Sequence, residues 1–326
     1  MTAAPWNLIL IVAGGFACIL ALGGGVVYLK LSKRNASWYY NKGVDYYQNG
    51  NLPKAIESFT RATTLQPDFA EAHYNLGLIY QQQEDAPNAK QCFQSVLDIT
   101  PDDLEALFNL ALIEYDDEGF TVAEPLLLKA LEMAPEDPDC YYTLGLVYEA
   151  QKKLAEAMEA YQKATEYDPT NINAFLFLGK LQDQTVQLAE AIQNFKKVLE
   201  LDPNNLEANY DLSISLAKKG DWEGTIQYSQ KAIEIDPNYA KAYNQLGLAH
   251  YCKEEMPEAI EFYRKAIEID PAYGNAFNNL GYAYQKTGRY AEAIEMFEQY
   301  LKIGTDAEEE MEIREHIDLL KKKMLE

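Results

Sequence analysis

Seven prolines, Pro67, Pro101, Pro135, Pro169, Pro203, Pro237 and Pro271, stand 34 residues apart without one insertion. A period of that length restricts the chain to an array in which one supersecondary unit stacks on the next, because no single unit can bury its apolar face alone. The stretch between two prolines defines the unit. In "AKAYNQLGLAHYCKEEMPEAIEFYRKAIEIDPAY", residues 240–273, apolar positions recur at helical spacing in two runs divided by a polar "KEE". The spacing predicts a helical hairpin. The proline, preceded by aspartate at Asp202, Asp236 and Asp270, stops the second helix because it lacks an amide donor and disfavours a helical predecessor. Pro53, Pro87 and Pro257 fall just after the intra-hairpin turn, where a missing donor costs nothing.

The first helix of each unit carries large residues around a Leu-Gly pair, as in Tyr141, Leu144, Gly145 and Tyr148, or Phe277, Leu280, Gly281 and Tyr284. The second carries a small residue, an aromatic and another small residue, as in Ala55, Phe59 and Ala62, or Ala157, Tyr161 and Ala164. Glycine implies close backbone approach, and alanine leaves room for a neighbour's ring.

Length, spacing and offsets together resemble the tetratricopeptide repeat, with eight copies at 36–69, 70–103, 104–137, 138–171, 172–205, 206–239, 240–273 and 274–307. The resemblance implies an all-α fold: a right-handed α-solenoid of eight hairpins over residues 35–307. It would be closed by a capping helix over 308–326, whose apolar positions are Met311, Ile313, Ile317, Leu320 and Met324. Two copies depart from the pattern. The third has Ala111 in place of glycine, Glu114 at an aromatic offset and Pro125 inside its second helix, which predicts a local bend. The sixth has Asn209, Ser213, Thr225 and Ser229 at core offsets, which predicts looser packing relieved by Trp222 and Tyr228. Drift and a functional hinge both account for such departures.

In solenoids that this chain resembles, the first helices line a concave groove with their second, fifth, sixth, ninth and twelfth positions. The fifth and ninth positions give Tyr40, Val44, Tyr74, Leu78, Phe108, Leu112, Tyr142, Leu146, Tyr210, Asn244, Asn278 and Tyr282, a largely apolar and aromatic row. It would suit an extended peptide or an amphipathic helix of a client protein. The sixth position gives Asn41, Asn75, Asn109 and Asn279, with Asp211 among the interruptions; asparagine both donates and accepts, so such a ladder would hold a main chain of any sequence. Lys180, Lys218 and Lys241 lie near the groove but do not form the paired cationic clamp by which some family members hold carboxylate tails.

Chemistry is otherwise sparse. His73, His250 and His316 neighbour no nucleophile motif, the four cysteines form no CxxC, and no glycine-rich phosphate loop occurs. No catalytic residue, metal or cofactor is therefore assigned, and the chain reads as a non-enzymatic scaffold. With 51 acidic against 28 basic side chains, the formal charge of −23 disfavours nucleic acid. The acidic excess is expected on the convex face and the turns.

Upstream, the 22 residues from Leu8 to Leu29 carry no charge. As a helix they would reach about 33 Å, enough for a hydrocarbon core of about 30 Å. This predicts an N-terminal anchor, residues 1–34, with Lys30, Lys33 and Arg34 holding the repeats on the cytoplasmic side, or the stromal or matrix side of an organelle. Ala13, Ala17, Ala21 and Gly25 would form a small-residue stripe through which two spans could pair. The expected role is a single-pass membrane scaffold that recruits clients for complex assembly. An import or chaperone co-receptor, or an assembly factor for envelope or photosynthetic complexes, is the alternative.

Overall fold

The computed structural model describes residues 18–22, 25–29, 35–304 and 307–325. Sixteen of its helices alternate as first and second members of eight hairpins. They are α1 (Ala36–Gln48), α2 (Leu52–Leu65), α3 (Ala70–Gln82), α4 (Ala86–Ile99), α5 (Leu104–Asp116), α6 (Phe120–Met133), α7 (Pro138–Ala150), α8 (Leu154–Tyr167), α9 (Ile172–Gln184), α10 (Leu188–Leu201), α11 (Leu206–Lys219), α12 (Trp222–Ile235), α13 (Ala240–Cys252), α14 (Met256–Ile269), α15 (Gly274–Lys286) and α16 (Tyr290–Ile303). A last helix, α17 (Ala307–Lys323), follows. Contacts divide the chain into two compact units, residues 1–135 with α1–α6 and residues 136–326 with α7–α17. Within each unit, every second helix packs on its own first helix and on the first helix of the next hairpin.

The periodic proline works through the residue before it. Gln66, Asp202 and Asp270 are extended, with φ −139°, −136° and −131°, which ends α2, α10 and α14. Where that residue is aspartate, its carboxylate accepts from the backbone N–H two residues on, Thr170, Asn204, Asn238 or Ala272, and closes the turn between hairpins. Inside each hairpin the first helix ends in a Schellman motif. The fifteenth residue of the unit is left-handed in all eight, glycine at 50, 220 and 288, and Glu84, Glu118, Lys152, Val186 and Glu254 elsewhere. The following N–H returns to the carbonyl five residues back, as Asp85 does to Tyr80 at 2.9 Å.

The core of six of the eight hairpins is a ring laid on a glycine. A Cβ added to Gly77 would lie 2.8 Å from Cε1 of Phe93, and one added to Gly247 would lie 2.7 Å from Cδ1 of Tyr263. The two irregular hairpins replace the ring together with the glycine. Ala111 faces a second helix that carries the buried Leu127 instead of a ring, and Ser213 one that carries the buried Ser229. Packing in the sixth hairpin is therefore closed: Asn209, Ser213, Thr225 and Ser229 are all buried. Ser213 Oγ donates to the Tyr210 carbonyl at 2.6 Å, Thr225 Oγ1 to the Asp221 carbonyl at 2.8 Å, and Tyr228 packs against the cluster containing Leu212 and Leu216. Glu114 replaces an aromatic contact with an ion pair, 2.8 Å from Lys90 of α4. Helix α6 runs unbroken through Pro125, whose missing donor would have reached only the second residue of the helix, Thr121.

Two expectations are corrected. The all-α fold holds from α1 onward, but Cys18–Leu22 (β1) and Gly25–Leu29 (β2) pair as an antiparallel hairpin, with Leu22 opposite Gly25 and Cys18 opposite Leu29. Among the described residues no helix is long and apolar enough to cross a membrane, which overturns the transmembrane helix expected over 8–29. Ala21 and Gly25 lie in β1 and β2; Leu8, Ala13, Ala17, Lys30, Lys33 and Arg34 lie outside the described residues. The physical reason is legible in hindsight. The two apolar runs are separated by the dipeptide Gly23-Gly24 and contain β-branched Ile19, Val26 and Val27, a composition that suits a two-residue hairpin. The single-pass membrane localisation, the cytoplasmic, stromal or matrix placement and the paired-span stripe all presumed that helix and fall with it. At the other end, α17 buries Ile313, Ile317 and Leu320 against α15 and α16, while Met311 and Met324 stay exposed.

Two substitutions test this account by chemical denaturation. Val186, β-branched, 75% exposed and at φ 63°, pays for a left-handed backbone without packing in return, so Val186→Gly is expected to stabilise by about 1 kcal/mol. Alanine normally stabilises a helix interior by about 1 kcal/mol over glycine. Gly247→Ala is expected to destabilise by about 1–3 kcal/mol, because the new methyl meets the Tyr263 ring; a gain in stability would refute the ring-on-glycine account.

Candidate protein-binding groove

The hairpin packing leaves one side of each first helix uncovered. In α3 the second helices bury Ala72, Leu76, Gly77 and Ile79, and Glu71, Tyr74, Asn75 and Leu78 remain exposed or half-buried. In the second unit the successive first helices α9, α11, α13 and α15 touch one another, and the second helices make no comparable contacts among themselves. The first-helix side is thus the concave side of that unit.

In the first unit this face carries Tyr40, Asn41, Val44, Tyr74, Asn75, Leu78, Phe108, Asn109 and Leu112, with Asn41 exposed and the others half-buried. Hydrogen bonds run from each helix to the next. Asn75 Nδ2 donates to Tyr40 Oη at 3.3 Å and to the Glu71 carbonyl at 2.8 Å; Asn109 Nδ2 donates to Tyr74 Oη at 3.4 Å and to the Glu105 carbonyl at 2.7 Å. Burial, reinforced by a hydrogen bond to Glu105, pushes the Tyr74 hydroxyl well above the usual tyrosine range, so it keeps its proton and donates. The Tyr40 ring is held by Phe69 and Phe59, with centroids 4.9 and 5.7 Å away.

In the second unit the expected residues divide. Tyr142, Leu146, Tyr210, Asn278 and Asn279 are half-buried, Tyr282 is 37% exposed, and Asn244 is 6% exposed. Asn244 is spent inside the protein, its Oδ1 accepting from Asn279 Nδ2 at 2.9 Å. Tyr142 lies edge-on to Phe177, and Tyr282 lies edge-on to Phe297 and beside His316 of α17. The lysines near the groove are tied to carboxylates of neighbouring helices: Lys180 pairs with Glu207, and Lys218 with Asp183 at 2.5 Å. Neither is arranged to clamp a carboxylate tail.

Residues absent from the sequence-based site also stand on this face. Glu71, Glu105 and Glu207 hold the second position, which was named as groove-facing but not read out. Tyr239 and Tyr273 close over Tyr210: Tyr239 lies edge-on at 5.2 Å, and the Tyr273 and Tyr210 hydroxyls are hydrogen-bonded. Asp211 is the perturbed carboxylate of this face. Its Oδ2 is buried without a hydrogen-bond partner, and burial pushes its carboxyl up to about 6; Lys180 and Lys241 oppose that shift, and Glu207 and Asp183 add to it.

Among the described residues no catalytic arrangement accompanies the groove. Burial pushes the thiols of Cys92 and Cys140 up to about 11 and about 12, so neither is a thiolate at neutral pH. His250 is satisfied by Glu255 at 2.6 Å and stacks on Phe262. Among the described residues no group of histidine, cysteine or carboxylate side chains could hold a metal ion.

The Asp211 shift has a defined pH signature. Its carboxyl binds a proton more tightly folded, at about 6, than at its ordinary 3.8, so its buried charge opposes folding fully above about pH 6. That penalty fades as pH falls and is gone below the unfolded value. Asp211→Asn is therefore expected to raise the unfolding midpoint at pH 8, with the gain shrinking through pH 6 and absent at about pH 3.5; a gain independent of pH would count against a buried charge.

Comparison with known proteins agrees with this geometry. Tetratricopeptide-repeat profiles match residues 43–84, 68–136, 108–172, 172–205, 214–253, 251–288 and 274–303, which leaves only 206–213 unmatched between 43 and 303. No curated protein sequence matches the chain. Among solved structures, PilF of Pseudomonas aeruginosa aligns with TM-score 0.54 at 20% identity, over 64% of this chain and 94% of its own. A double mutant of MamA RS-1 aligns with TM-score 0.50 at 26% identity, over 52% of this chain and 94% of its own. YrrB, described as a tetratricopeptide-repeat protein with an unusual peptide-binding site, aligns with TM-score 0.48 at 25% identity, over 58% of this chain and 97% of its own. From the proline period to the ring-on-glycine core and the profile matches, the chain belongs to the tetratricopeptide-repeat family.

Proposed function

We propose that the first-helix face of α1, α3 and α5 holds an extended or helical segment of a client protein, with Tyr40, Val44, Tyr74, Leu78, Phe108 and Leu112 as its apolar contacts. The repeat architecture supports a non-enzymatic protein–protein interaction scaffold. The observation that supports the finer reading is the half-buried state of the row. Val44, Leu78 and Leu112 recur at the ninth position of successive first helices, and no second helix completes their burial. A client that covers them gains about 1.5–3 kcal/mol for each side chain fully buried, before the cost of ordering the segment. The hydrogen-bonded tyrosines and asparagines fix the row, so the ordering cost falls mainly on the client.

In the second unit the groove face contributes Tyr142, Leu146, Tyr210, Asn278, Asn279 and Tyr282 to the same reading. Asn244 is excluded from direct contact because its amide is buried and paired.

A photo-crosslinking residue placed at Asn41, which is exposed on α1, is expected to capture a client that the same residue at Glu132, exposed on α6, does not. Tyr74→Ala/Phe108→Ala/Leu112→Ala is expected to reduce client recovery at least about tenfold with far-UV circular dichroism unchanged. Equal recovery by a folded triple variant would sink the groove reading.

A further inference from the structure

We infer that the segment held across α3 and α5 is cationic, carrying lysine or arginine side chains beside its aliphatic anchors. This rests on the groove reading above and adds the chemistry of the occupant. The asparagine ladder is not the two-way hydrogen-bonding surface that asparagine permits in principle, because its donors are already spent. The two amide hydrogens of Asn75 go to Tyr40 Oη and the Glu71 carbonyl, and those of Asn109 go to Tyr74 Oη and the Glu105 carbonyl. The Tyr74 proton goes to Glu105. What the second, fifth and sixth positions of α3 and α5 still offer is the amide oxygens of Asn75 and Asn109 and the carboxylates of Glu71 and Glu105, all acceptors.

Charge follows the same pattern. Glu71 and Glu105 are exposed, and no lysine or arginine occupies the second, fifth, sixth, ninth or twelfth position of α1, α3 or α5. An anionic segment would meet uncompensated carboxylates. A neutral one can offer backbone, hydroxyl or amide donors but no compensating charge, whereas lysine and arginine supply donors and the opposite charge together. The same register position in the second unit carries Asp211, again an acceptor, with one oxygen unpartnered. The formal charge of −23 would draw a basic segment toward the chain before contact.

The test is selection from a random peptide library on the immobilised full chain, in parallel with Glu71→Gln/Glu105→Gln and with Tyr74→Ala/Phe108→Ala/Leu112→Ala. Wild type is expected to enrich peptides that combine aliphatic with Lys or Arg residues. The glutamine pair is expected to keep the aliphatic preference and lose the basic one. Peptides with no basic preference, or one that survives the glutamine pair, would overturn the cationic occupant and leave the groove intact. Selection indifferent to the alanine triple, or no enrichment, would remove the groove as well. If the glutamine pair fails to fold, the best wild-type peptide decides: its affinity is expected to drop about tenfold between about 0.05 and 0.5 M salt, and salt-independent binding overturns the proposal.

Discussion

The contact on which the rest depends is, in six of the eight hairpins, an aromatic ring of the second helix against a glycine of the first. Where Gly77 meets Phe93, or Gly179 meets Phe195, a Cβ would sit 2.8 Å from the ring, so the two backbones approach only because one side chain is absent. This fixes the distance between the helices and the rotation of the first helix about its axis. With the ring-contacting side pinned inward, the second, fifth, sixth and ninth positions have nowhere to go but the opposite side. The groove is a consequence of the core.

The two irregular hairpins show that where the glycine is replaced, the ring opposite it is replaced too. Ala111 accompanies Leu127, and Ser213 accompanies Ser229: each added atom on the first helix is matched by a ring removed from the second. The sixth hairpin replaces dispersion with hydrogen bonds from Ser213 and Thr225 to backbone carbonyls, but leaves Ser229 Oγ buried without a partner. An unmatched hydroxyl of this kind costs about 1–3 kcal/mol. The register of Tyr210, Asp211 and Ile214 is nevertheless maintained, and with it the groove face of α11.

The hairpins were legible in the sequence because each boundary has a local cause: proline forces its predecessor extended, and a left-handed fifteenth residue ends the first helix. Length and hydrophobicity of the apolar stretch before Arg34 are shared by a spanning helix and a pair of strands; only Gly23-Gly24 and the β-branched residues beside it distinguish the two. The groove-facing positions came from the resemblance to the repeat family. Their chemistry did not: whether Asn109 offers a donor depends on Tyr74, 35 residues away, and whether Asn244 is accessible depends on Asn279. Asp211 was visible as an interruption of the asparagine row, but its unpartnered oxygen is a product of packing among α9, α11 and α13.

The acidic excess was assigned to the convex face and turns, and its actual placement separates the two units. In the second unit, two carboxylates of the first-helix face are paired within the chain: Glu207 meets Lys180 of the preceding first helix, and Asp183 meets Lys218 of the following one, while Asp211 Oδ2 stays unpartnered. In the first unit, no face cation is available to Glu71 or Glu105. Like charges repeated on stacked helices repel, and stacking alone gives no reason to keep them on a concave surface where solvent screening is weakest. Carboxylates on the outer turns would confer the same solubility at lower electrostatic cost. Under the cationic-occupant proposal the charge that compensates Glu71 and Glu105 would come from outside the chain, whereas Glu207 and Asp183 meet theirs on neighbouring helices.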